Sequence, residues 1–307
     1  MKSIHHVFFL FISCLSYVVI HAQELPPVIN YSSAQYQGGN QNWMISQSSD
    51  RQIFIANTKG LLQFNGARWK IYPEPNESII RSVRAIDDRI YTGSYMNFGY
   101  WEHNPLGELQ YVSLIESLDI PIIEDEQFWN IIAHYKWIIF QSLDRIIIFN
   151  TENNGIQIID SEGIISKLFR VKNEIYFHVL GEGIYVIEDG KKQLLSNHQV
   201  VLENRVIGLF SITNELVLIT EEAGFYKLNG ALVNRWDTRA NSVLDGMSIY
   251  CAIQLKNEDI ALGSIAHGVL IISKQGEIRH RFDRSNGLGN NTVLSLFPDA
   301  DNNVWVG

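Results

Sequence analysis

Short apolar stretches separated by brief polar turns recur along most of the chain, with no run of helical spacing and matching caps between them. The unit reads as strand, Asn/Asp turn, strand ending in small or polar residues, then glycine, an apolar-aromatic pair and a third strand. It first occupies residues 43–47, 52–56 and 60–64, and next 82–86, 89–93 and 98–101. Further copies begin near 130, 167, 207 and 250, and a seventh begins near 292. Gly60, Gly99, Gly183, Gly224 and Gly268 open the third strand and advance by about 40 residues per copy; the third copy has Asp144 near that place. A weaker outer strand, such as 69–72 or 278–282, follows each third strand.

Four short strands in a period of about 40 residues are the pattern of a β-propeller blade. A two-sheet sandwich would need the same spacing to recur by accident six times. The expectation is therefore an all-β propeller over residues 23–307, of about seven four-stranded blades starting near 42, 82, 130, 167, 207, 250 and 292, the last incomplete. Seven blades and eight remain alternatives at this point. Blade packing predicts inner strands apolar on both faces. The third-strand glycine is expected to turn with φ > 0, and the Asp/Asn turns to bond local backbone amides.

Composition narrows the class. The chain has 307 residues, 46% hydrophobic and 19% charged, with a net charge of −9, which excludes disorder and argues against a nucleic-acid surface. Its 41 Ile and 35 Phe, Tyr and Trp favour strands. Residues 1–22 read as a cleaved secretory signal: Lys2, an apolar run from Val7 to Ile20, and Ala22 before Gln23. The run is shorter than the ~20 residues of a membrane span. Its removal would leave Cys251 as the single cysteine, read as a small buried hydrophobe. The expected location is periplasmic.

The seventh copy carries the most specific motif. Asn286, Gly287, Leu288, Asn290, Asn291 and Asp299 lead to Trp305, Val306 and Gly307, and this closely resembles the two-component-regulator propeller repeat. The opening, with Tyr31, Tyr36, Trp43, Asn57, Gly60, Asn65, Gly66 and Trp69, resembles the first blade of Bacteroidetes-type periplasmic sensors; Arg81, Ser82 and Tyr91 also fit. The third and fourth copies are degenerate. In that family a triple-tyrosine domain, a membrane span and an output domain follow, either a histidine kinase or a LuxR-type helix-turn-helix. The resemblance thus implies a sensory region, an oligosaccharide or related ligand, tethering through a further C-terminal part, and homodimerisation of the longer protein. The motif breaks off at Gly307, so the expectation is a truncated product or partial gene model. Residues 27–37 are expected to supply a strand to the unfinished blade, and its apolar faces to be exposed.

No metal spacing, nucleophile elbow or nucleotide fingerprint occurs, so neither metal nor cofactor is expected and the reading is not an enzyme. Glu124, Asp125 and Glu126 read as a solvated loop. The loops between second and third strands and between blades should share one face. Their polar and aromatic members are the ligand candidates: Asn57, Tyr95, Asn97, Trp129, Asp144, His178, Glu182, Arg205, Glu222 and His267. Planar rings with amide, carboxylate and imidazole groups suit sugar faces and hydroxyls. The rival readings are a propeller lyase or glycosidase, for which Asp144 and Glu182 would be tested, and a secreted binding module without signalling.

Overall fold

The computed structural model describes residues 26–307; the expected leader at 1–22 lies outside them. Six antiparallel four-stranded meanders follow one another, each ordered first to fourth strand. The first holds β1 (Asn42–Gln47), β2 (Ile53–Asn57), β3 (Gly60–Phe64) and β4 (Trp69–Tyr72). The second holds β5 (Ser82–Ile86), β6 (Arg89–Gly93), β7 (Phe98–His103) and β8 (Leu109–Ser113). The third holds β9 (Asn130–His134), β10 (Trp137–Gln141), β11 (Arg145–Asn150) and β12 (Ile156–Asp160). The fourth holds β13 (Ile165–Val171), β14 (Glu174–Val179), β15 (Gly183–Glu188) and β16 (Lys191–Ser196). The fifth holds β17 (Val206–Ile212), β18 (Glu215–Thr220), β19 (Phe225–Asn229) and β20 (Leu232–Arg235). The sixth holds β21 (Ile249–Gln254), β22 (Ile260–Ser264), β23 (Val269–Ile272) and β24 (Ile278–Phe282). A seventh sector is a two-stranded hairpin, β25 (Leu296–Pro298) with β26 (Val304–Val306).

The sheets pack face to face around an axis. Strands β2, β11, β22 and β23 are buried along their whole length, whereas the outer β16 and β24 are mostly exposed. Each interface between neighbours has its own apolar cluster. Phe54, Ala56 and Leu61 meet Val83, Ile90 and Trp101 between the first two blades. Phe98 and Tyr91 meet Ile131, Phe140 and Ile147 between the second and third. The series ends with Cys251, Ala261 and Val269 against Leu296, and Ile45, Ile55 and Phe64 against Phe297 and Trp305. The hairpin thus touches both the sixth blade and the first, and the ring of inner strands closes.

The third-strand glycine answers to a close approach more than to a turn. A Cβ on Gly60 would lie 2.3 Å from the Tyr72 carbonyl oxygen, and on Gly99 2.1 Å from that of Val112. Gly60 has φ +135°, but Gly99 is not in the left-handed region, which corrects the expectation of a positive φ at every copy. In the third blade Arg145 opens β11 instead, and it brings its own partner. Its guanidinium donates from Nε and Nη2 to both carboxylate oxygens of Glu126, at 2.9 and 2.7 Å, and from Nη2 to the Pro121 carbonyl. Both side chains are almost wholly buried. The loop at 124–126 is therefore not uniformly solvated: Glu126 is the counterion that lets an arginine stand where other blades use glycine.

Residues 27–37 do not form a strand. Pro26 and Pro27 offer no amide to a ladder. Ser32 then caps the one-turn helix α1 (Ser33–Tyr36) in a capping box with Gln35. The segment closes the ring through side chains. Asn30 donates to the Gly287 carbonyl and accepts from the Gly289 amide, at 2.8 and 3.1 Å. Tyr31 stacks on Trp305 and meets Phe64 and Trp69 edge-on or tilted. These rings cover much of the apolar surface expected to stand open beside the hairpin, although Val306 remains 40% exposed. Three more short helices lie between blades: α2 (Leu114–Ser117), α3 (Gln199–Glu203) and α4 (Asn241–Leu244). Among the described residues, no helix is long and apolar enough to cross a membrane.

Candidate functional site

The seven inner strands enclose a central channel of about 1100 Å³, and every one of them contributes to its wall. Local backbone geometry chooses which side chains line it. In β1, β13, β17 and β21 the register with the second strand slips by one residue near the start. Such a bulge re-aims side chains and bends the strand. The residues skipped by the ladder are Trp43, Ser166, Ile207 and Tyr250, and all four face the channel. Arg81, Trp129 and Arg205 come from the residues immediately before β5, β9 and β17. All these positions lie at the channel end that also carries the loops between second and third strands.

At this mouth Arg81 lies between two indoles, its guanidinium carbon 4.3 Å from the Trp43 ring centre and 4.5 Å from that of Trp129. The two indoles stand edge to face at 6.0 Å. Such paired cation–π contact holds the guanidinium in the corner of two nearly perpendicular rings. The Nε donates to Gln127 Oε1 at 2.8 Å. The buried Arg81 Nη1, Trp43 Nε1 and Trp129 Nε1 have no acceptor. Nearby, Tyr250 is pushed up chiefly by burial, against the pull of Arg81 and Arg205.

The channel wall is strongly cationic. Arg81, Arg84, Lys167, Arg170, Lys172, Arg205 and Lys256 line it, against Glu221 and Glu258 alone. None of the seven has a carboxylate within ion-pair distance among the described residues. Glu258 is itself engaged by Lys274 at 2.9 Å. Burial holds Lys167 below the usual lysine range and Arg84 down at about 10, the latter helped by Arg170. Cys251 borders the same space, pushed up to about 12 by burial.

The ten sequence candidates divide into three sets. Trp129 and Arg205 line the channel. Asn57, Asn97 and His178 are buried inside blades and are occupied by the protein. Asn57 accepts from the amides of Gly39 and Lys59 and donates to the Gly39 and Gln41 carbonyls and to Asn42. Asn97 accepts from Ser113. His178 bonds Ser166 through Nδ1 and the Val201 carbonyl through Nε2, and burial holds it neutral with a pKa near 4. These three tie loops to strands. Tyr95, Asp144, Glu182, Glu222 and His267 stand on the loops outside the channel wall. Tyr95 donates to Asp125, and Glu182 accepts from the Gly163 amide and the Tyr185 hydroxyl. Glu221, and not its neighbour Glu222, reaches the channel. Reading loop positions missed Trp43, Arg81 and Tyr250, because strand bulges and stacking are not visible in residue type alone.

The architecture defines a β-propeller, and solved propellers share it. The chain superposes on the extracellular domain of a one-component system protein, BT4673, from B. thetaiotaomicron with TM-score 0.69 and 17% identity, covering 93% of this chain and 39% of that one. The extracellular domain of the hybrid two-component system BT3049 from the same organism gives 0.62 and 16%, covering 91% and 40%. The WD40 propeller domain of Doa1 gives 0.66 and 14%, covering 88% and 90%. The chain thus spans about two fifths of these two bacterial extracellular-domain structures. No protein-family model matches it, and no curated protein matches it.

Proposed function

We propose that this chain is the exported sensory propeller of a transmembrane signal-transduction regulator, and that it binds a ligand at the channel mouth. The observation that carries the reading is the match of nearly the whole chain, in shape, to extracellular domains of regulatory systems. The repeat motif around Asn286 to Trp305 supports it from the sequence side. Trp43, Arg81, Trp129, Arg205, Glu221 and Tyr250 form the ligand-facing ring, and Tyr95, Asp144, Glu182, Glu222 and His267 its outer rim. A ligand there bridges loops of several blades. It can shift an equilibrium between two packings only by binding one better than the other. Glycans or their breakdown products are the ligand class, and the periplasm is the compartment.

The test is in-frame removal of residues 26–307 in the encoding organism, followed by transcript profiling on a panel of polysaccharides. Loss of induction on one glycan is the expected result. Unchanged transcription on every carbon source overturns the reading. Turnover of any of those polysaccharides by the purified chain, abolished by Glu182→Ala or Asp144→Ala, would favour the enzyme reading instead.

A further inference from the structure

The chain carries 24 Lys and Arg against 33 Asp and Glu, so an unbiased channel would be acidic. The observed wall is the reverse, with seven basic residues and two acidic ones. Five of the seven inner strands or their leading residues contribute to this wall a charged or indole group. The cations extend from Arg81 and Arg205 at one mouth, through Arg84 and Lys167, to Arg170, Lys172 and Lys256 at the other. The protein supplies them mostly with neutral acceptors. Arg170 donates to the Ala133 carbonyl at 2.8 Å, Lys172 to Asn214 at 3.1 Å and Lys256 to the Ala300 carbonyl at 3.0 Å. Elsewhere in the molecule Lys and Arg find carboxylates readily, on exposed strands and in the core alike.

We infer that the channel takes an acidic oligosaccharide, bearing carboxylate or sulfate groups, with one acidic group held at the Trp43–Arg81–Trp129 cage. This deepens the sensory reading above and rests on it for its biological meaning. The chemistry follows from the donor set. A guanidinium held against two indoles, with its Nη1 still unpaired, supplies N–H donors that suit a carboxylate or a sulfate. The orphaned indole N–H groups and Arg81 Nη1 gain acceptors when an anion's oxygens arrive and the indoles rotate slightly. Apolar wall residues such as Ile132, Ile164 and Leu143 accept the non-polar faces of sugar rings. Charges spaced along a partly desolvated wall attract a chain of acidic groups more strongly than an isolated one.

The experiment is titration of the purified full chain with tetragalacturonic acid, a sulfated chondroitin tetrasaccharide and neutral maltotetraose, read by calorimetry and tryptophan fluorescence. The expected result is saturable binding of at least one acidic oligosaccharide, none of maltotetraose, and a weakening of tenfold or more between low and high salt. Arg81→Gln and Lys167→Gln should each weaken binding at least tenfold, and the exposed Arg205→Gln severalfold. Arg205→Gln leaves the core untouched, so it remains informative if the two half-buried variants fail to fold. Absence of binding by both acidic probes overturns the inference, as does binding that ignores both salt and Arg205→Gln. Acid binding without any transcriptional role would overturn the sensor reading and leave the ligand class standing. A transcriptional response with no acid binding would do the opposite.

Discussion

Two arginines of this propeller, Arg145 buried and Arg84 half-buried, are handled in opposite ways. Arg145, inside the third blade, meets both oxygens of Glu126 and a backbone carbonyl, and its charge is cancelled on the spot. Arg84, on the channel wall, has no carboxylate within reach and only a long 3.4 Å contact to the Ile131 carbonyl. Its pKa is lowered to about 10 by burial and by Arg170, so the fold bears a cost there that it avoids in the blade. The first arrangement is what a fold needs to stay closed. The second is what a site needs to attract something from outside.

The contrast can be broken most sharply at Glu126. Glu126→Ala strands a buried guanidinium, and a loss of about 3–5 kcal/mol is expected by denaturant unfolding. A loss below about 1 kcal/mol would mean that Arg145 is not dependent on its partner. His178 belongs to the same satisfied class, with both ring nitrogens engaged. Its folded pKa is depressed from 6.5 to about 4. The unfolded chain therefore takes up the proton first as pH falls. Stability is full above about pH 6.5, falls through the window from 6.5 to 4, and is lower by about 3 kcal/mol below it. His178→Gln should flatten that limb, and a slope unchanged by the substitution would assign the pH dependence elsewhere.

On the channel side the sign reverses. Arg84→Met removes an uncompensated charge and should raise stability by about 1 kcal/mol in thermal or denaturant melts. A clear loss would show that Arg84 is structural after all. The smallest effect is expected at the exposed pair of Arg51 and Asp301, which links the first blade to the hairpin. Arg51→Ala should cost about 0.5 kcal/mol, less still in high salt.

The blade was legible in the sequence because its constraints are local. Strand length, Asn/Asp turns and the glycine beside the fourth strand all recur within one repeat. Asp299 shows why: one carboxylate accepts from the amides of Asp301 and Asn303 and from the Trp305 indole. The third blade was harder to read because Arg145 stands in the glycine's place and depends on Glu126, in the loop before the blade. The site was legible only in outline. Loop position found Trp129 and Arg205, but could not tell Glu221 from Glu222, nor see that bulges aim Trp43 and Tyr250 inward. The net charge of −9 concealed a channel of the other sign, because composition averages over surfaces that the ring keeps apart.

The clasp between Asn30 and the Gly287–Gly289 turn spans more than 250 residues of chain. Contacts so far apart in sequence form late and slow a fold down. A chain emerging from its amino end must therefore carry its opening segment unpaired until residues near 287–305 have followed. For all that time Tyr31 and Phe64 lack the Trp305 partner that covers them. The step most open to aggregation is thus the wait between the first blade's synthesis and its last neighbour's arrival.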